Sequence, residues 1–185
     1  RSEKTETKQT ESQAGSPQEP QQPVAGQKIF ASSLLGNRIT ALEPSPLKVL
    51  ATRDVEAPGP LALTLDTRTL LVAQASTSHI LTYQAANLEP GPSIFQVGGS
   101  NIQQILVSPN GQEVWSVNAS GTLGVIGLED RKLRSTVELQ GKAAAACWYL
   151  SGNDAELWVA VSEPNQIVVV NPSIRMVRAR IPVGP

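Results

Sequence analysis

The sequence predicts an all-β fold built from repeated four-stranded sheets, and three observations support this prediction. Short apolar runs of four to eight residues, rich in β-branched and aliphatic side chains, follow one another from Lys28 onward. Gly, Pro, Asn, Asp and Ser break these runs at regular intervals, as turns between strands do. No sustained apolar stripe has the 3.6-residue period of a helix. The body of the chain is therefore expected to consist of strands.

The first 27 residues have a different composition and are expected to form a disordered tail. Val24 is the only branched aliphatic residue in this segment, which is dominated by Gln, Glu, Ser, Thr, Pro and Lys. Ordering the backbone costs about 1–2 kcal/mol per residue, whereas burying one Val contributes about 1.5–3 kcal/mol in total. The segment has too little to bury, so we expect it to act as a tether or spacer.

Self-comparison of residues 28–185 reveals a repeat of 40–45 residues. Three columns of apolar residues keep this spacing, and successive members lie 41 to 44 positions apart. The columns are Ile29, Leu71, Trp115 and Trp158; Ile39, Ile80, Leu123 and Ile167; and Val55, Val97, Leu139 and Val183. A unit of this length holds four short strands, which is the size of a β-propeller blade. Since a lone four-stranded sheet leaves both faces wet, successive blades are expected to stack.

The repeat predicts about four blades, over residues 28–60, 61–101, 102–143 and 144–185. Each of the last three begins with an inner strand, over residues 61–65, 105–108 and 147–150. The first blade begins at its second strand, because nothing in the tail resembles an inner strand, and it therefore holds three strands. The sequence stops at Pro185, where a new inner strand is due. We therefore expect a partial ring, part of a larger propeller, in preference to a self-sufficient four-bladed ring.

Several segments resemble the repeats of YVTN-type β-propeller proteins. They are SPNGQEVWSVN (108–118), TLGVI (122–126) and VRARIPVGP (177–185). The resemblance covers residues 28–185 and implies a propeller scaffold, in a family with surface-layer, binding and enzymatic members. One departure stands in the second blade, where Asp66-Thr67-Arg68 replaces the usual Ser-Pro-Asp/Asn-Gly turn. The first hairpin of that blade is therefore expected to be built differently.

Composition excludes several classes of site. Lys and Arg total 15 against 16 Asp and Glu, a net charge of −1, so no basic field favours nucleic acid. One Cys forms no internal disulfide, and with one His the usual metal ligands are nearly exhausted. The longest apolar run, residues 143–150, is far shorter than the roughly 20 residues that span a bilayer. No metal, no cofactor, no nucleic-acid partner and no membrane span are expected.

Ligands of a propeller usually meet a rim, formed by the loops between second and third strands and by the linkers between blades. In this sequence those loops are short, small and polar. The candidate binding residues on them are Asn37, His79, Asn101, Asn118, Ser120, Ser162 and Asn165. No pair of titratable side chains has a spacing suited to acid–base chemistry, so the sequence assigns no catalytic residue.

Other conspicuous residues have structural interpretations. Cys147 lies in an alanine-rich inner strand and is expected to be a buried, inert thiol. Trp115 and Trp158 share a column with aliphatic residues, so they are expected to pack between sheets. The basic residues of the last two blades are expected to protect outer strands from aggregation. These residues are Arg131, Lys132, Arg134, Arg175, Arg178 and Arg180.

The sequence therefore predicts a non-catalytic binding or scaffold module that presents its loop rims to a protein partner or to completing propeller blades. The resemblance and the spacer-like tail imply an exported, tethered protein in the periplasm or at the cell surface. Two alternatives stay open. One is a fragment of a propeller enzyme, such as a lactonase, a lyase or a quinone- or haem-type oxidoreductase, whose catalytic residues lie beyond residue 185. The other is a structural subunit of a cell-surface or secretion assembly.

Overall fold

A computed structural model describes residues 26–75, 77–94, 96–152 and 154–184, which form fourteen strands. The strands are β1 (Ile29–Ser33), β2 (Arg38–Pro44), β3 (Leu47–Asp54), β4 (Pro58–Leu63), β5 (Thr69–Gln74), β6 (Ile80–Gln84), β7 (Ile102–Val107), β8 (Glu113–Asn118), β9 (Thr122–Gly127), β10 (Leu133–Glu138), β11 (Lys142–Ser151), β12 (Asp154–Ser162), β13 (Gln166–Asn171) and β14 (Met176–Pro182). The predicted tail lies outside the described residues except for Gly26 and Gln27. In the described part of the chain, no helix is long and apolar enough to cross a membrane.

The strands form four antiparallel sheets, each made of strands that follow one another along the chain. We call β1–β3 blade 1, β4–β6 blade 2, β7–β10 blade 3 and β11–β14 blade 4. Two isolated bridges, Ile80 to Ile94 and Tyr83 to Pro90, extend blade 2 where its fourth strand is due. The all-β prediction is confirmed, and blade 1 holds three strands as expected. Blade 2 was expected to hold four strands and also holds three, because Pro90 and Pro92 have no backbone N–H for a fourth strand and the segment pairs through the two bridges alone.

The blades stack in chain order, with β1 beside β4, β4 beside β7 and β7 beside β11. Each of the three junctions holds an apolar core of buried side chains contributed by both blades. We call the face that a blade turns toward the following blade its forward face. The row is open: its four sheets do not close into a ring.

The repeat columns mark the forward faces, with one correction in blade 1. Phe30, not Ile29, faces blade 2, because it pairs with the core residue Ala41 and packs in the junction core. Ile29 pairs with Leu42 and is 49% exposed. A shift of one residue exchanges the two faces of a strand, so this column lies one residue later in blade 1 than the sequence alignment placed it.

The first hairpin of blade 2 is built like that of blade 3, so the expected difference is wrong. In blade 3, Ser108 Oγ donates a hydrogen bond to Asn110 Oδ1 at 2.6 Å. In blade 2, Thr64 Oγ1 donates to Asp66 Oδ1 at the same distance. Both acceptor oxygens also accept a backbone N–H from two residues later, at 3.0–3.1 Å. Thr and Asp reproduce the turn because they supply the same hydroxyl and side-chain oxygen as Ser and Asn.

Asp66→Asn should therefore preserve this turn at neutral pH and change its behaviour in acid. The Thr64 hydroxyl and then the Arg68 backbone N–H hold the pKa of the Asp66 carboxyl below its ordinary value. A lowered folded-state pKa contributes stability that is present above the unfolded pKa and is lost as pH falls through the folded pKa. We expect this loss below about pH 4 in the wild type and not in Asp66→Asn. Urea unfolding of both proteins across that range measures it, and an NMR titration of Asp66 at or above the ordinary Asp value would contradict it.

Candidate functional site

The predicted rim exists as a row of loops at one end of the stacked sheets. In blade 2, Ala75 N donates to Ala57 O at 2.8 Å; in blade 3, Ala119 N donates to Asn101 O at 3.0 Å. The loop between the second and third strands of each of these blades is thereby bound to the linker that enters the same blade. We use the name rim for loops 33–37, 77–79, 119–121 and 162–165, together with the segments 57–60, 98–101 and 141–143 that enter blades 2, 3 and 4. The first and last of these segments include the beginnings of β4 and β11.

A second set of backbone hydrogen bonds repeats along the rim. The carbonyl that precedes the third strand accepts the N–H of a residue that ends the fourth-strand segment in three blades. The pairs are Val55 N to Asn37 O (2.9 Å), Leu139 N to Gly121 O (2.8 Å) and Val183 N to Asn165 O (3.1 Å). Asn37 and Gly121 have φ values of 46° and 89°, a left-handed conformation that Asn and Gly tolerate best. Short loops with these bonds hold a fixed shape.

Asn118 lies behind the rim surface and is fully buried. Its Nδ2 donates to Ser116 Oγ and to Thr122 Oγ1, both at 3.2 Å. Those hydroxyls donate in turn to the linker carbonyls of Val97 (2.8 Å) and Gly98 (3.0 Å). Asn118 therefore anchors the linker between blades 2 and 3, and its own side chain does not reach a partner surface.

The other predicted site residues lie along the rim, one or two per blade. Asn37, Asn101, Ser120 and Asn165 are exposed, and His79 and Ser162 are half-buried. The structure brings Asn101, Asn118 and Ser120 together in blade 3, where Ser100 N donates to Ser120 Oγ at 3.4 Å. Asn37 Oδ1 accepts the backbone N–H of Ala57, between blades 1 and 2, at 2.9 Å, and the remaining residues stay in the loops of their own blades. The rim therefore offers a row of amide, hydroxyl and backbone groups, not one convergent pocket.

The charges of the rim are sparse and partly paired. Lys142 Nζ lies 2.8 Å from Glu163 Oε2, and both side chains are exposed. The described residues contain no group of three or more His, Cys, Asp or Glu side chains that could hold a metal ion. What the rim can do chemically is donate and accept hydrogen bonds from rigid positions.

A pocket of about 750 Å³ lies at the opposite end of blades 1 and 2, where the sequence analysis placed no site. Phe30 and Leu63 line its apolar part, and Lys28 and Arg68 supply cations. Lys28 Nζ donates to the Ala86 carbonyl at 3.1 Å. No local motif distinguishes these residues, because the pocket is formed by strand ends from two blades.

One expectation about an individual residue is wrong, and the role expected of the arginines is incomplete. Cys147 is exposed, because it pairs with Trp158 on the forward face of blade 4, which no described residue covers. The arginines do not simply guard outer strands: Arg134 and Arg175 bind the buried carboxylate of Glu113. Arg178 binds Glu156 in the same way. The signal for these ion pairs is the Glu-x-Trp pattern that occurs at 113–115 and again at 156–158.

Comparisons with known proteins bear on the fold. No family model matches the sequence, and no curated protein matches it significantly. Among solved structures, a chain of the hydrazine synthase of Kuenenia stuttgartiensis superposes with a TM-score of 0.76 and 15% sequence identity. The match covers 86% of this chain and 47% of that chain, so this chain spans about half the length of its structural neighbour. At this identity the likeness shows the fold alone, which is of the β-propeller type.

Proposed function

We propose that this chain is a non-catalytic binding module of the β-propeller type that presents its rim to a protein partner. One observation carries the proposal: repeated hydrogen bonds hold the rim loops in place while exposed polar side chains stand on them in blades 1, 3 and 4. Loops that are already ordered lose little conformational entropy on binding, so their contacts contribute more fully to affinity.

The chemistry of the rim favours a polar protein surface as the partner. Asn37, Asn101, Ser120 and Asn165 each offer short donors and acceptors without a fixed charge. Polar, hydrogen-bonded contacts of this kind are typical of non-obligate protein interfaces. A net charge of −1 gives no long-range attraction for a polyanion.

The proposal includes three finer features. The repeats are of the YVTN type, as the segments around residues 108–126 and 177–185 suggest. The protein is exported, and it is held at the cell surface or in the periplasm through the tail at residues 1–27.

A propeller enzyme with its catalytic residues outside this chain is the second candidate, because the structural neighbour belongs to an enzyme.

A photo-crosslinking amino acid at Ser120 tests the rim directly, with Ser173 as the matched control. Both are exposed serines, but Ser173 lies in the turn between β13 and β14, away from the rim. We expect one discrete protein adduct from position 120 and none from position 173. The captured partner should bind Asn101→Arg about tenfold more weakly than the wild type, since a bulky charge at an interface opposes docking.

Equal adducts from both positions, or none from either, would argue against a binding rim. Turnover of a sugar, lactone or quinone substrate by the full-length protein, with no adduct, would favour the enzyme instead. The Asn101→Arg variant should lower the melting temperature by a few degrees at most, because its side chain is exposed, while the left-handed φ of 55° at this position is less favourable for Arg than for Asn.

A further inference from the structure

The forward face of blade 4 repeats the forward face of blade 3, which is covered in this structure. Four apolar side chains of blade 3 on that face are at most 5% exposed: Trp115, Leu123, Val137 and Leu139. Their counterparts in blade 4, by spacing and strand register, are Trp158, Ile167, Ile181 and Val183. Ile181 and Val183 are 42% and 44% exposed, and the other two are half-buried. The two blades therefore present equivalent apolar faces, of which the face of blade 3 is covered and the face of blade 4 is not.

Blade 4 covers blade 3 through a specific aromatic contact. Trp148, on the inner strand β11, meets Trp115 edge-on, with ring centroids 5.7 Å apart and planes at 83°. Leu157, Val159 and Val161 of β12 complete the core of this junction. On the forward face of blade 4, Trp158 has a tilted contact with Tyr149 of its own blade, at 5.8 Å. Its counterpart Trp115 has in addition the neighbour that a following blade supplies.

The two carboxylates that accept the indole N–H groups of Trp115 and Trp158 also differ in the number of arginines that bind them. Glu113 Oε2 accepts the indole N–H of Trp115 at 3.2 Å. Glu113 Oε1 accepts two guanidinium groups, Arg134 of its own blade at 3.2 Å and Arg175 of blade 4 at 2.7 Å. The following blade therefore contributes the second cation to this carboxylate.

In blade 4, Glu156 accepts the indole N–H of Trp158 at 3.0 Å and binds Arg178 of its own blade. Its side chain is 15% exposed, close to the 11% of Glu113. Among the described residues one arginine binds Glu156, whereas two bind Glu113. In blade 2 the corresponding positions are Thr69 and Leu71, so the combination of carboxylate and indole is specific to the last two blades.

We propose that the forward face of blade 4 is the docking surface for one further blade of this repeat. That blade places an aromatic side chain of its inner strand against Trp158 and an arginine, from the loop between its third and fourth strands, on Glu156. The junction between blades 3 and 4 is the template for every contact. The Glu156 carboxylate disfavours an anionic ligand on this face. A broad apolar face that spans several strands is more readily covered by a second sheet than by a small molecule.

A second copy of this chain fits the face less well. The blade it would offer is blade 1, whose described strands lack the inner strand that carries the aromatic residue in blade 4. The turn of blade 1 that corresponds to the Arg175 loop is Ser45-Pro46, which contains no arginine. The inference is independent of the rim proposal, because the face and the rim use different residues.

Extending the full chain at its C-terminus with a duplicate of residues 141–185 tests the docking surface. The duplicate carries its own counterparts of Trp148 and Arg175, and its cysteine is replaced by serine so that Cys147 is the single thiol. Cys147 lies on the forward face beside Trp158, at the position that Leu106 occupies in blade 3, where it packs into the junction core. We expect a thiol reagent to label Cys147 at least about tenfold more slowly in the extended chain, because labelling then requires the blades to open.

Glu156→Gln in the extended chain should restore part of the labelling rate, whereas Glu113→Gln should not, since Glu113 belongs to the preceding junction. An unchanged labelling rate in a folded extended chain would overturn the proposal. So would a dimer of the unextended chain in which Cys147 is protected and which Trp158→Glu dissociates, because a second copy would then be the occupant.

If the extended chain does not fold, the unextended chain still tests the face. Ile181→Ser should sharply reduce the binding of a fluorescent apolar dye while changing the melting temperature by less than about 2 °C. Val137→Ser, its buried counterpart in blade 3, should lower the melting temperature clearly. Dye binding that Ile181→Ser leaves unchanged would contradict an exposed docking surface at blade 4.

Discussion

Trp115→Ala is expected to lower the free energy of unfolding by about 3–5 kcal/mol, the range found for truncation of large buried aromatic residues. Trp115 is fully buried between blades 3 and 4, and its ring meets Trp148 edge-on. Its removal leaves a cavity between two hydrogen-bonded sheets, which cannot move together without disturbing their other contacts. It also leaves the Glu113 carboxylate without the indole N–H that it accepts. Urea denaturation followed by circular dichroism measures the loss.

Trp158→Ala is the matched control, because the two tryptophans share a repeat column and each donates to a glutamate two residues earlier. Trp158 is half-buried on the uncovered face, so its removal deletes fewer contacts and creates no closed cavity. We expect it to cost less than half as much as Trp115→Ala. Equal losses would contradict the assignment of one covered and one uncovered face.

The blades were predictable from the sequence because burial at each junction imposes the same apolar columns. Residues at the centre of a junction face the next sheet and are apolar, so the period appears at Ile39, Ile80 and Leu123 without knowledge of the fold. The sequence could not show that Phe30, and not Ile29, belongs to the repeat column in blade 1, since both residues are apolar and adjacent. Only the pairing of Phe30 with Ala41 decides which of them faces the core.

The rim was predictable in position but not in burial. Its loops follow from the strand order, which places Asn118 at the end of the second strand of blade 3. That strand, β8, is buried along its whole length because blades cover both of its faces. The burial of Asn118 therefore depends on the linker packed over it, and the sequence around the residue carries no sign of that linker.

Contacts between blades were the least predictable feature. Arg175 and Glu113 lie 62 positions apart, so no local pattern connects them. The alanine-rich run around Cys147 suggests burial, but burial there depends on a following blade. The Asp66 turn shows the opposite case: a change of residue type left the structure intact, because the side-chain oxygen it provides is equivalent to that of Asn110.

Gly124→Ala is expected to lower the free energy of unfolding by about 3 kcal/mol, through overpacking and the loss of a buried hydrogen bond. A Cβ atom on Gly124 would overlap the backbone carbonyl oxygen of Val97, in the linker between blades 2 and 3. It would also lie 2.6 Å from Ser116 Oγ, which donates to that carbonyl at 2.8 Å. A backbone carbonyl cannot rotate away as a side chain can, so the linker must leave the sheet. The same linker contains Gly98, whose carbonyl accepts a hydrogen bond from Thr122 Oγ1. Displacing the linker should therefore also disorder the rim of blade 3.

Gly127→Ala, in the same strand, separates this linker clash from a general intolerance of β9 to a side chain. The atoms nearest to a Cβ atom on Gly127 would be the ends of the Asp130 and Arg134 side chains, which can shift, although a shift of Arg134 weakens its ion pair with Glu113. We therefore expect a loss of about 1 kcal/mol, less than half that of Gly124→Ala, since relief of the clash moves two side chains and no backbone segment. Thermal unfolding of both variants, with amide hydrogen exchange of residues 97–101, measures stability and linker order together. If Gly127→Ala costs as much as Gly124→Ala, or if exchange in the linker stays slow in Gly124→Ala, the contact with Val97 is not what requires glycine at position 124.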